Sequence, residues 1–305
     1  MFDDTVVHTP TLHVILTIIS LIATIIGTAI SFMILTCTLL RKETFTNVRL
    51  MLCTNNYIAV FFVGIVEIVH LVIVTQSDFG ITVINIETLG CRIRAYILFS
   101  CLSVVYLACV LQAMFCLFRI IYPSVLWVTE PRICLGIILL SWIVSFTLVS
   151  PLLILHGQRL IPGEYTCRVP KDDSFSIAYS TLIVYGIPFS TLAYIYFQIH
   201  RFLRIQAMST LIVSVRTHRD RHRYVTVFRR IIVTVMLLGA FGMPNSVMLI
   251  ILAIKGELIS SFYRILDMSF AALVLTLSIA LLYINPHLKR KVKSIQHQQH
   301  KSNNR

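Results

Sequence analysis

The chain has 305 residues, of which 57% are hydrophobic and only 13% charged, with a net charge of +13. Soluble domains carry about 25% charged residues, so this composition excludes an ordinary soluble domain and leaves one membrane domain that uses nearly the whole length. The positive balance comes with no base-reading motif, so nucleic acid is not expected as a partner.

Residues 1–11 form a short tail with Asp3 and Asp4 and no Lys or Arg. They lack the basic start of a cleavable leader, so the first apolar run is expected to insert and stay. Seven such runs follow, over 12–40, 48–75, 90–122, 132–155, 175–200, 224–254 and 261–284. Each exceeds the roughly 18 apolar residues that a spanning helix needs. The third is the axis, with Cys91 at one end, Arg119 at the other and Pro123 closing it. Pro151, Pro188 and Pro244 lie inside the fourth, fifth and sixth, where neighbouring helices can satisfy a freed carbonyl.

Nineteen of the 26 Lys and Arg residues fall on one face of such a bundle. They include Arg119, eight arginines from Arg201 to Arg230, and six Lys or Arg from Lys289 onward. The positive-inside rule makes that face cytoplasmic, so the N-terminus is extracellular and the C-terminus cytoplasmic. Membrane lipid is then a partner of the basic face. The fold expected is an all-α, seven-transmembrane helix bundle over 12–284. Residues 285–305 follow as a cytoplasmic amphipathic helix and basic tail, since Leu288, Val292 and Ile295 fall at i, i+4 and i+7. A disordered basic tail is the alternative for that segment. Nothing repeats as a transporter's inverted halves would.

Six of the eight cysteines lie within spans, where they act as small hydrophobes. Cys91 and Cys167 remain at the extracellular side, and a disulfide between them is the economical inference. His218 and His222, four apart among arginines, are expected to be solvated, and neither a metal nor a cofactor is expected. Paired aspartates, a Ser/His pair or a histidine cluster at membrane depth are lacking, so the chain does not read as an enzyme. Glu67, Arg94 and Asp267 are charges in the outer halves of spans, and an ionisable group at that depth is a candidate site. Glu67 and His70 share a helix face, as do Arg264 and Asp267, which makes them either local pairs or ligand contacts. Phe99, Tyr106 and Tyr263, with Tyr96, Tyr179 and Tyr185, can form aromatic walls or interfacial anchors.

Seven spans, the Cys91–Cys167 pairing, Trp142 in the fourth span and the three prolines together resemble the rhodopsin-like (class A) G-protein-coupled receptors. Tyr196, eight residues after Pro188, stands where that family keeps a tyrosine used in activation. The resemblance implies a plasma-membrane receptor whose extracellular ligand, a small molecule or peptide, binds between helices three, five, six and seven. It also implies a heterotrimeric G protein as partner, with Pro188 and Pro244 as bending points. Several motifs depart from the family. Val60 aligns with its sodium-binding aspartate, Phe115-Cys116-Leu117 replaces Asp-Arg-Tyr, and Phe241-Gly242-Met243-Pro244 lacks the tryptophan of Cys-Trp-x-Pro. Asn285-Pro286 runs into Lys289 rather than a tyrosine. Arg119, three residues on, either takes the role of the missing arginine or rests among lipid headgroups. No lysine lies between Gly256 and Pro286, and no aspartate lies in the outer half of the third span. That argues against a retinal Schiff base and against an ordinary aminergic ligand. The rival reading is a seven-span decoy, scaffold or ligand-gated channel subunit without G-protein coupling.

Overall fold

Long apolar runs become single helices in a membrane because every backbone group must be satisfied within the segment. The computed structural model describes residues 10–40, 44, 46–81, 88–122, 130–155, 157–161, 166–170, 173–209, 233, 235–242, 244, 247, 251 and 262–284. Helix α1 spans Pro10–Leu39, α2 Val48–Asp78, α3 Leu89–Ile121 and α4 Pro131–Ile154. Helix α5 (Ser174–Thr181) runs through a π-helical turn, Leu182–Gly186, into α6 (Ile187–Ser209), and α7 covers Phe262–Ile284. Six helical stretches among the described residues are long and apolar enough to cross a membrane. The chain is a helical, multi-pass membrane protein. Most of the expected sixth span (224–254) lies outside the described residues, although 235–242 is helical. So do the basic segment 210–230 and the expected helix and tail over 285–305.

Helix ends fall where the sequence supplies caps. The Asn47 side chain accepts from the Arg49 amide at 3.2 Å, and the Thr88 hydroxyl accepts from the Cys91 amide at 3.3 Å. Pro131 opens α4 at a position whose amide would have had no helical partner. Asp173 caps α5 by accepting from the Ser176 amide at 3.1 Å, and hydrogen bonds from Ser176 hold its carboxyl below the usual range. At the end of α2, Gly80 adopts φ +69°, and the Ile81 amide reaches back to the Gln76 carbonyl at 3.0 Å. That left-handed turn closes the helix and is open to glycine at little cost.

Helix α1 turns a stripe of hydroxyls inward and isoleucines outward. On α1, Thr17, Ser20, Thr24, Thr28, Ser31 and Thr38 are buried, while Ile15, Ile19, Ile22 and Ile26 face out. The Thr17, Ser20, Thr24 and Thr28 hydroxyls donate to their own helix four residues back, at 2.7–2.9 Å. Small, self-satisfied side chains let helices approach where no hydrophobic drive distinguishes neighbour from lipid. A Cβ on Gly27 would stand 2.9 Å from the α7 backbone at Leu275, and one on Gly64 of α2 would collide with Thr28. Ser31 meets Ser278 of α7 at 2.7 Å. On α4 only Cys134, Ile138, Ser141, Ser145, Val149 and Leu152 are buried, one stripe at helical spacing. Its other aliphatic side chains point outward, as in lipid.

Helix α3 touches α2, α4, α6 and the loop that follows α4. At the end of the bundle away from that loop, amides of α2 tie it to its neighbours. Asn56 donates to Gln112 of α3, and the Trp142 indole of α4 donates to Asn55 at 3.0 Å. The α4–α5 loop departs from the all-helical expectation. Strand β1 (Arg159–Ile161) pairs antiparallel with β2 (Thr166–Arg168), with Leu160 opposite Cys167. Cys167 is bonded to Cys91 of α3, which draws the hairpin onto that end of the bundle. All three β2 residues are buried.

Candidate functional site: a charged cluster under the hairpin

The α2 C-terminus and the α3 and α7 N-termini meet beneath the hairpin. Because Cys167 is held by Cys91, the next residue, Arg168, is carried inward and is only 2% exposed. Its Nη2 donates to Asp267 of α7 and lies 2.7 Å from His70 Nε2 of α2. A guanidinium has no acceptor, so His70 accepts at Nε2 and is the neutral tautomer with its proton on Nδ1. The 3.7 Å between His70 Nε2 and Asp267 is therefore a proximity, not a second ion pair. The Arg168 guanidinium also stands 5.9 Å from the Tyr263 ring centroid, within cation–π range. The Tyr263 hydroxyl fixes the strand end by donating to the Val169 carbonyl at 2.7 Å.

Glu67 lies one turn deeper than His70 on α2 and is fully buried. Neither carboxylate oxygen has a hydrogen-bond partner among the described residues. The charges of Asp267 and Arg168 both act on it. Tyr185, in the π-helical turn, is buried and has a hydroxyl without a hydrogen-bond partner among the described residues. Its ring packs edge-on against Tyr106 of α3 at 5.2 Å, and the Tyr106 hydroxyl reaches the Leu238 carbonyl at 3.4 Å. Phe99 is buried in the same core. Arg94 stands half-buried on α3 at the rim, close enough for its charge to act on His70.

The structure thus brings His70, Asp267, Tyr263 and Glu67 into one cluster, with Arg94 at its edge and Phe99 and Tyr106 in the adjoining core. The local pairing of Arg264 with Asp267 is not what forms. Arg264 instead makes a two-pronged bond across to Asp78 at the end of α2, at 2.8 and 2.9 Å, and a 2.7 Å bond to Thr17 of α1. Glu67 and His70 share a face of α2, but His70 bonds to Arg168 rather than to Glu67. Arg168, the centre of the cluster, is missed by sequence reasoning that leaves it in a loop. Its place directly after a disulfide cysteine is the signal that could have found it.

The expected activation residues lie elsewhere. Pro188 is buried two residues past the π-helical turn, in which the Ile187 amide bonds to the Leu182 carbonyl five residues back. The wider turn makes room where proline lacks a donor and crowds the preceding carbonyls. Tyr196 is half-buried on α6 and stacks on His200 at 6.2 Å. Pro244 is half-buried and helical. Arg119 is exposed in the last turn of α3. No family model matches the chain, and no match is found among curated proteins.

Proposed function

We propose that the chain is a divergent rhodopsin-like G-protein-coupled receptor of the plasma membrane, with the hairpin end extracellular. The observation that carries this reading is the hairpin pinned by Cys91–Cys167 over a buried charged cluster. A disulfide belongs to an oxidising compartment, and the bundle's basic face is the opposite one. A ligand at the cluster would shift the population between two packings of the bundle. The π-helical turn before Pro188 supplies a point at which α6 can re-aim. Tyr196 would close the active arrangement, and Arg119 with the basic segment 201–230 would meet a heterotrimeric G protein.

The test is G-protein activation in cells that express the full chain with a panel of heterotrimers. Basal signal is compared with that of Arg119→Ala and Cys91→Ala at equal surface expression. The reading expects at least one heterotrimer to respond and Arg119→Ala to lower that response. Silence with every heterotrimer against a broad ligand library, at normal surface expression, would favour an uncoupled seven-span protein. The substitution of Phe115-Cys116-Leu117 for the family's Asp-Arg-Tyr is what keeps that second reading in play.

A further inference from the structure

We infer that His70 and Arg168 form an acid-sensitive latch on the hairpin: a proton taken up at His70 Nε2 transfers the histidine from Arg168 to Asp267 and lets the Arg168 side chain withdraw. The latch does not depend on coupling to a G protein, and the receptor reading supplies only the side, extracellular, from which acid would arrive. His70 Nε2 accepts from Arg168 Nη2 at 2.7 Å and lies 3.7 Å from Asp267 Oδ1, which Arg168 also holds. A protonated Nε2 is a donor, and a donor facing a guanidinium gains neither a hydrogen bond nor an attractive charge. The same nitrogen, once protonated, has a carboxylate oxygen only about half an ångström beyond hydrogen-bonding range. The exchange keeps the buried charges in balance, because one cation faces Asp267 before it (the guanidinium) and one after it (the imidazolium). An ion left alone at this depth is costly, so the layer changes partners rather than losing one.

The groups around the imidazole fit that exchange. On α2, Glu67 has no hydrogen-bond partner among the described residues and lies near Asp267, so it is neutral and leaves Asp267 as the anion of the layer. On α3, the Arg94 charge acts on His70 from the half-exposed rim. On α7, Arg264 acts on Asp267 but is itself bonded to Asp78, and Tyr263 offers its ring to Arg168 and its hydroxyl to the Val169 carbonyl. A proton needs no cavity here. The layer lies directly under a two-stranded hairpin of three-residue strands, and local opening of so short an element admits water to it. The Cys91–Cys167 bond keeps β2 tethered when Arg168 leaves, so acid loosens the hairpin and spares the bundle. The closed form has no proton at His70 Nε2 and the released form has one, so falling pH favours release.

The experiment follows the full chain in lipid nanodiscs from about pH 7.5 to about pH 5, which brackets the ordinary histidine range. Hydrogen exchange of the hairpin strands, 159–161 and 166–168, is compared at each pH with that of His70→Gln, so that the intrinsic pH dependence of exchange cancels. Glutamine offers Arg168 an oxygen acceptor that acid in this range does not remove. Across the range the native hairpin should gain about tenfold in exchange over the variant, a factor that one proton bound only in the released form supplies. Asp173, in the same loop, is held below the ordinary carboxylate range by its hydrogen bonds from Ser176 and does not contribute. In parallel, ¹⁵N spectra of the histidine-labelled native chain should show His70 with its proton on Nδ1 at neutral pH. After acidification both nitrogens should carry one, with the same midpoint as the hairpin. A native hairpin that matches His70→Gln at every pH, or a His70 already protonated at Nε2 at neutral pH, would overturn the inference. So would midpoints that differ, a comparison that needs only the native chain and therefore holds if His70→Gln does not fold. Loosening in acid alongside silence in the G-protein assay would break only the coupling proposal.

Discussion

Two arginines enter the hairpin end of this bundle and each meets an aspartate, but they differ in what they leave over. Arg264 grips both oxygens of Asp78 and the Thr17 hydroxyl, joining α7 to α2 and α1 in a closed set. Arg168 comes from a strand rather than a helix, holds Asp267 and His70, and leaves Glu67 beneath it without a hydrogen-bond partner among the described residues. The first pair has little to offer a ligand, because its members are engaged with one another. The second leaves both carboxyl oxygens of Glu67 without a hydrogen-bond partner among the described residues. Similar chemistry at the same end of the molecule therefore serves as a clamp in one place and as a candidate site in the other.

Removing the clamp is the severest way to test that contrast. Arg264→Ala leaves Asp78 without its buried partner and should cost about 3–5 kcal/mol, read as a fall in folded yield and unfolding midpoint. Glu67→Gln should cost nothing on the same scale, and the two variants together decide whether the pairs differ in kind. Next comes the cystine, which closes a loop with a sequence separation of 76. Replacing Cys91 and Cys167 together by alanine should cost about 4 kcal/mol from the lost constraint on the unfolded chain. It should also raise hydrogen exchange in the hairpin while leaving α1 and α2 protected. A smaller effect is expected from Tyr263→Phe, which removes the bond to the Val169 carbonyl but keeps the ring beside Arg168. About 1 kcal/mol is expected from that loss, measured by thermal unfolding. Smallest of all, Arg119→Ala alters an exposed side chain away from both pairs and should move stability by less than about 0.5 kcal/mol.

Much of this architecture was legible in the residues. Apolar runs of thirty residues have one solution in a bilayer, so α1 to α4 and α7 lie over the expected runs. The disulfide was legible because only Cys91, at the outer end of its run, and Cys167, in a loop, stand on the extracellular side of the expected bundle. Glu67, His70 and Asp267 stood out because charge at membrane depth is costly. The partner assignments were not legible. Spacing of three residues brought Arg264 and Asp267 to one side of α7, but a neighbouring helix and a strand competed for them and won. Arg168 gave no periodic signal, since a three-residue strand in a loop has none; its burial follows from the cystine and the hairpin register. The π-helical turn was equally hidden, because Leu182–Gly186 reads as ordinary helix until Pro188 is reached. The amides Asn55, Asn56 and Gln112 passed unremarked because polarity without charge is a weak signal in a long apolar run.

The hydroxyl stripe of α1 bears on how the protein is made. Its main seams are with α2, the next span, and α7, which the ribosome finishes more than two hundred residues later. At ordinary rates of synthesis that interval is on the order of tens of seconds, during which α1 resides in the bilayer with its α7-facing side uncovered. A face of threonine and serine would be a poor thing to show to lipid if those hydroxyls needed a neighbour. They do not, because Thr17, Ser20, Thr24 and Thr28 are each satisfied by their own helix. When α7 arrives it finds a groove already smooth enough for backbone contact at Gly27, and Arg264 then fastens the ring shut.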